Sequence, residues 1–103
     1  MNAYTVVMTD VSFEWDEKKH APNIRKHDIS FVEGQTVFAG DNGLLIHDPD
    51  HSEDEDRFIL LGLSSSLHPL VVCHTYRKDK SVIRIISARK VTRPEQEQHW
   101  NRW

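Results

Sequence analysis

The chain has a single cysteine, Cys73, in 103 residues, so no internal disulfide can form. That suits a reducing compartment and predicts a cytoplasmic protein. Cys73 lies in an apolar run and reads as a small buried hydrophobe, not as a nucleophile. Four glycines, none clustered, exclude a glycine-rich phosphate loop, and Gly-x-Ser-x-Gly is absent. No apolar run approaches the length of a membrane span. There is no Lys or Arg before Lys18, and the longest early apolar run is Val6-Val7-Met8, which argues against a signal peptide.

A hydrophobic fraction of 38%, with three Trp, two Tyr and four Phe, is enough for an ordered core. One domain over residues 1–103 is expected, with residues 1–12 standing as an N-terminal extension. Charge is divided unevenly. Residues 1–56 carry 4 Lys/Arg against 13 Asp/Glu, a balance of −9; residues 57–103 carry 9 against 3, a balance of +6. Six of the acids crowd into Asp48–Asp56. The basic half could hold an anion, or the acidic loop could simply neutralise it within one fold.

Val82–Arg89 is the clearest strand, rich in β-branched residues and apolar on both faces. Alternation puts Ile83 and Ile85 on one face and Val82, Ile86 and Ala88 on the other, with Arg84 and Arg89 on opposite faces. Phe13-Glu14-Trp15 reads as a shorter strand. Tyr4, Val6 and Met8 alternate with polar or smaller neighbours and suggest a first strand or an arm. Asp16 is a helix N-cap, and its helix runs to about His27, with a kink or restart expected at Pro22. Lys19, Asn23, Lys26 and His27 recur at helical steps and would share one face, in the simplest view a solvated one.

Ser30-Phe31-Val32-Glu33 is a capping box. The helix it opens turns Phe31, Val32, Thr36 and Val37 inward and stops at Gly40. Asp41-Asn42-Gly43 is a turn, and Leu44-Leu45-Ile46 a strand. Phe58–Leu63, Leu70–Tyr76 and Val82–Arg89 follow with short links, as an antiparallel meander. Thr92-Arg93-Pro94-Glu95 caps a last helix that carries His99 and Trp100 on its later turns. The expected fold class is α+β: an antiparallel sheet meander with two N-terminal helices and one C-terminal helix.

Metal ligation is poorly supported. Asp48, Asp50, Ser52 and Asp54 have the odd spacing of a calcium loop, but Glu53 stands where glycine is needed and Ile59 where glutamate is. What remains is arginine, histidine and glutamate. Cleavage of RNA through its 2′-hydroxyl needs a base, an acid and cations around the phosphate, without a metal or cofactor. His51, Glu55 and Arg57 lie together at a loop-to-strand junction, with Arg77 and Arg84 on the following hairpin. A four-residue Lys78–Ser81 loop sets Arg77 opposite Val82 and Thr75 opposite Arg84, so that Thr75, Arg77 and Arg84 share a face. A three-residue loop would bring His74 and Tyr76 there instead. The first register is favoured because it stacks two arginines and a hydroxyl into one anion site. Glu55–Arg57 as an ordinary ion pair is the competing view.

The order Phe13-x-Trp15-Asp16-x-x-Lys19-x-x-x-Asn23-x-x-Lys26-His27-x-Ile29-x-Phe31 resembles the opening signature of the BrnT family, toxins of type II toxin–antitoxin systems. Asp50-His51-Ser52-x-x-Glu55-x-Arg57, Gly62, Thr75-x-Arg77, Arg84-Ile85-Ile86-Ser87-Ala88-Arg89 and Glu95 match it further along. The resemblance implies a RelE-like ribonuclease fold and an RNA-cleaving toxin that inhibits translation. It implies a BrnA-like antitoxin partner that neutralises the toxin and, in complex with it, represses their promoter; DNA contact would then be indirect. Departures from the pattern are Asp28 and Gly34, where the family tends to have Gly and Ala, the unusual Pro22, and the first twelve residues, which are an extra strand or follow from a start codon set too early.

On this reading His51, Glu55, Arg57, Arg77 and Arg84 are the catalytic candidates, and Lys19, Lys26 and His27 guide the RNA backbone. Arg89 is as well explained by a pair with the acidic loop or Glu95. Two other functions fit less of the sequence. One is a non-catalytic partner-binding module using the acidic loop or the basic half. The other is a DNA-binding regulator whose last helix offers Arg93, Gln96, Gln98, Asn101 and Arg102.

Overall fold

A computed structural model describes residues 6–8, 11–40, 42–52 and 54–99 of the protein. The elements run β1 (Val6–Met8), β2 (Val11–Trp15), α1 (Glu17–His27), α2 (Phe31–Thr36), β3 (Leu44–Asp48), β4 (Arg57–Leu63), β5 (Pro69–Arg77), β6 (Val82–Lys90) and α3 (Arg93–His99). Short 3-10 turns cover Val37–Ala39 and Pro49–His51. Of the expected first strand and last helix, Tyr4 and Trp100–Trp103 lie outside the described residues. Part of the N-terminal extension is a strand, because Val6–Met8 pairs with Val11–Phe13.

The four-strand meander β3–β6 forms as expected, but the sheet as a whole is mixed. Its order is β1-β2-β6-β5-β4-β3, and β2 lies parallel to β6, with Phe13 opposite Ile83 and Trp15 opposite Ile85. The helical link explains the direction. With two helices in succession the chain goes out and comes back, so β3 starts at the end of the sheet where β2 stopped. The link crosses the whole sheet and leaves β2 beside β6, at the opposite side from β3.

A second departure concerns β6. Cys73 pairs with Ser87, but the next residue, His74, pairs with Ile85, so Ile86 is an extra residue in the ladder. Such a bulge resets the alternation. Ile83, Ile85 and Ala88 all join the buried core, and Arg84 and Arg89 come to the same face, not to opposite ones. The four-residue register of the β5–β6 hairpin holds: Thr75 faces Arg84 and Arg77 faces Val82.

The helices cover one face of the sheet. Phe13, Trp15, Leu60, Val72 and Ile85 meet Ile29, Phe31 and Val37 in a continuous core. Gly62 is required here, since a Cβ on it would stand 2.7 Å from Val37 Cγ1. His74 is fully buried on this face. Its Nδ1–H donates to the Val72 carbonyl (3.0 Å) and its Nε2 accepts from the Tyr76 hydroxyl (3.3 Å).

Caps follow local chemistry. The Asp16 carboxylate accepts from Lys18 N–H, and Asp28 ends α1 in the left-handed conformation at φ 57°, the position glycine favours. Helix α1 runs through Pro22 without a break; Lys18, whose carbonyl loses its partner there, is exposed. Ser30 accepts from Glu33 N–H as a capping box requires, but the Glu33 carboxylate turns away, to Ser64 Oγ (2.6 Å) and His68 Nδ1 (2.7 Å). One inward assignment is corrected by burial. Val32 is exposed, while Gly34 and Gln35 are buried.

Asn23 is the larger correction: it is 7% exposed, not part of a solvated face, while Ile24 on the next position is 40% exposed. The reason is the end of β2. Strand β2 covers β6 only as far as Ile85, so the outward backbone groups of Ala88 have no strand partner. Asn23 supplies one. Its Nδ2 donates to Ala88 O (2.8 Å) and Ile29 O (2.9 Å), and its Oδ1 accepts from Ala88 N–H (3.2 Å). Replacing Asn23 by Ala orphans buried backbone groups, and the expected loss is roughly 2–4 kcal/mol in urea unfolding. A loss within error of zero would show that the amide does not bear this role.

Candidate active site on the arginine face

The face of the sheet away from the helices carries Arg57, Arg84 and Arg89, with Arg77 at its exposed end. Strand β3 ends at Asp48, and Pro49 starts the 3-10 turn that brings His51 back beside it. His51 Nδ1–H donates to Asp48 Oδ2 at 2.9 Å. The carboxylate is largely buried and the imidazole largely exposed. That contact fixes one ring nitrogen as the donor and leaves Nε2 able to accept a proton. Ser52 pins the turn to the next strand, accepting from Arg57 N–H at 3.0 Å and donating to the Asp48 carbonyl.

His51, Glu55 and Arg57 come together as the sequence suggests, with Asp50 and Asp54, around a depression of about 230 Å³. A neighbouring one of about 290 Å³ continues past His51 and Arg57 to Cys73, Ser87 and Arg89. Arg57 faces Asp48 across the ladder, but among the described residues it makes no ion pair; Glu55 does not hold it. Glu55 instead accepts from Arg77 (3.1 Å). Arg84 donates to Glu14 at 2.6 Å, and Glu14 also lies 4.0 Å from Arg77. The expected anion clamp of Arg77 and Arg84 is thus already occupied by two carboxylates.

Lys19, Lys26 and His27 are not brought into the depression. Helix α1 lies against β6 through Asn23, and among the described residues these three relate to the arginine face only through charge, Arg89 acting on His27 and Lys19 on Cys73. Burial pushes the His27 pKa below its ordinary value, and the charges of Lys26 and Arg89 push it further. His27 is therefore less cationic at neutral pH than a free histidine. Cys73 is half-buried on this face rather than enclosed in the core. Burial raises its pKa, with the Arg57 charge opposing, so the thiol stays protonated.

Arg89 has the structural partner anticipated for it. It makes two 2.8 Å bonds to the two oxygens of Glu95. Glu95 also completes the Thr92 cap, accepting from Thr92 N–H and Oγ1. Asp48 and Glu14 were missed from sequence. Asp48 stands three residues before His51, a spacing that the 3-10 turn converts into contact. Glu14 carries no local signal, since its partner is 70 residues away.

A small mixed-sheet α+β protein with a histidine–aspartate pair set among arginines has the makings of a site for a polyanion. Residues 15–95 match the family described as ribonuclease toxin, BrnT, of type II toxin–antitoxin systems. The fold is similar to the crystal structure of the Brucella abortus ribonuclease toxin BrnT, with a TM-score of 0.57 over 77% of this chain and 94% of that one, at 22% sequence identity. No curated protein sequence matches the chain. The chain belongs to the BrnT family of ribonuclease toxins.

Two buried or paired groups set the acid sensitivity. Burial depresses the His74 pKa from 6.5 to about 4, so its neutral form stabilises the fold fully above pH 6.5, and that contribution fades as pH falls towards 4. The Arg89 hydrogen bonds, aided by Thr92, hold Glu95 at about 2 against an ordinary 4.5, despite partial burial. Its contribution is present above pH 4.5 and is lost towards pH 2. Wild-type stability should therefore fall through both windows. Glu95→Gln should be less stable at neutral pH and lose less than wild type between pH 4.5 and 2. Parallel unfolding curves for the two proteins across that lower window would contradict the assignment.

Proposed function

We propose that residues 1–103 act as one domain, a metal-independent endoribonuclease of RelE-like fold that works in the cytoplasm and inhibits translation. A BrnA-like antitoxin neutralises it and supplies the DNA contact when the complex represses their promoter. The observation that carries the catalytic reading is the Asp48–His51 pair beside Arg57, a cation with no carboxylate partner among the described residues.

His51 is the proton-transfer residue. With Nδ1–H held by Asp48, Nε2 takes the proton of the 2′-hydroxyl as its oxygen attacks phosphorus. The bond from phosphorus to the 5′-oxygen breaks, that oxygen takes up a proton, and the products are a 2′,3′-cyclic phosphate and a 5′-hydroxyl. Glu55, once Arg77 releases it and it has taken a proton from water, is the candidate to hand that proton to the 5′-oxygen and return to its carboxylate form. Arg57 receives the scissile phosphate, and its charge counts most as negative charge builds on the non-bridging oxygens. Arg77 joins by exchanging Glu55 for phosphate. Arg84 serves mainly by holding Glu14, which keeps that carboxylate from the phosphate. Lys19 and Lys26 guide the RNA backbone from the rim, and the less charged His27 contributes least.

The test is RNA cleavage by the purified protein in excess chelator, compared with His51→Ala and Arg57→Ala. Each substitution should lower the rate by about 10²-fold or more while leaving the unfolding midpoint close to wild type. Undiminished cleavage by His51→Ala, or cleavage abolished by the chelator, would refute this mechanism. Growth arrest that persists in both variants would point to a partner-binding module instead.

A further inference from the structure

A second cleft adjoins the proposed cleavage site and shares Glu55 with it. It has a volume of about 590 Å³, at the end of the sheet where β5 turns into β6. Phe58 and Tyr76 form its aromatic wall, with ring centroids 5.2 Å apart at 66°, and Thr75 and Leu45 add to it. Both rings are partly exposed. Three cations line the cleft, Arg77, Lys78 and Lys80, and so do three carboxylates, Glu55, Asp56 and Asp79.

This balance tells what the cleft is suited to. Its charges cancel, so it is a poor site for a phosphate by itself. An uncharged planar ring with a hydrogen-bonding edge fits better, because it gains stacking on the aromatics and donors and acceptors at the rim. Glu55 lines both this cleft and the His51–Arg57 depression, so the two adjoin at that residue, with Phe58 and Tyr76 on the helix side of the sheet. Arg77 lines the cleft and is tied to Glu55. Above the cleft the turn holds Lys78, Asp79 and Lys80 at φ 49°, 55° and 70°, three successive non-glycine residues in the left-handed region. Hydrogen bonds from Ser81 N–H and Oγ to the Lys78 carbonyl, and from Ser12 N–H to the Ser81 carbonyl, keep that strained turn in place. Strain of this kind collects at binding sites.

We propose that this cleft is a nucleobase subsite: it stacks a base adjoining the scissile phosphate on Phe58 and Tyr76, and so helps choose where single-stranded RNA is cut. The inference rests on the ribonuclease reading above for its position, but the base binding is testable without cleavage.

The first measurement uses short RNAs in which each nucleotide around the cut is replaced in turn by an abasic ribose. For the wild type, one abasic position should lower kcat/KM by about tenfold to a hundredfold. Tyr76→Leu should lose a similar factor on the complete RNA and little further on the abasic one. Tyr76→Phe, which keeps the ring, should retain most of the activity. A misfolded variant would instead lose both substrates alike, which Phe58→Leu, judged the same way, guards against. The second measurement replaces the same nucleotide by 2-aminopurine in an uncleavable 2′-deoxy strand. Wild type should quench its fluorescence, and Tyr76→Leu should not. Quenching without any cleavage would leave the subsite standing and refute the ribonuclease reading. Equal cleavage of complete and abasic RNAs, quenching unchanged in both leucine variants, or variants that lose antitoxin binding while treating RNA as wild type would overturn the subsite.

Discussion

One extra residue in β6 decides which charges meet. Without the bulge at Ile86, Arg89 would point into the helices and the core would lose Ala88. With it, Arg57, Arg84 and Arg89 share a face, and Ile83, Ile85 and Ala88 share the other. Crowding guanidinium groups is unfavourable unless carboxylates are set among them. Glu14 answers Arg84, Glu55 answers Arg77, and Glu95 answers Arg89. Asp48 is the exception: it stands opposite Arg57 but gives its carboxylate to His51. Among the described residues, the arginine of this face without a carboxylate partner thus lies beside the Asp48–His51 pair.

The helices are held by polar contacts as much as by apolar ones. Asn23 ties α1 to the edge of β6, and His20 ties it to α2. The His20 ring stacks on Phe31 at 4.8 Å, accepts from Phe31 N–H through Nε2, and meets Glu17 through Nδ1. A helix with so little apolar surface would not dock by hydrophobic contact alone. This explains how α1 tolerates an outward Ile24 and an interior Pro22.

What was legible in the sequence is what local chemistry decides. Asp16, Ser30 and Thr92 mark helix starts because each cap bonds within three residues. The Lys78–Ser81 loop length set the β5–β6 register, and with it the placement of Thr75 opposite Arg84. The same reading failed wherever the partner is remote. Asn23 looks like one of a row of solvent-facing polar residues until Ala88 is placed beside it, 65 residues later. The parallel pairing of β2 with β6 leaves no trace in either segment, so the sequence alone predicts an antiparallel sheet. Alternation cannot reveal a bulge, so it predicts the wrong face for Arg89. The site was half visible: His51, Glu55 and Arg57 are neighbours in sequence, while the role of Glu14 depends on the fold.

Strand β2 pairs along β6 across most of the chain, and that separation has a consequence for how the protein is made. Contacts this distant close large loops and make folding slow, on the scale of milliseconds to seconds. During synthesis, Val11–Trp15 and α1 must wait until Val82–Lys90 has left the ribosome before either finds its place. The meander β3–β6 can form first, from neighbouring hairpins. Glu14 then arrives last, with α1 and its amide. A nascent chain therefore carries Arg57 and His51 before it carries a finished arginine face, and the complete charge arrangement appears only when its two most widely separated parts have met.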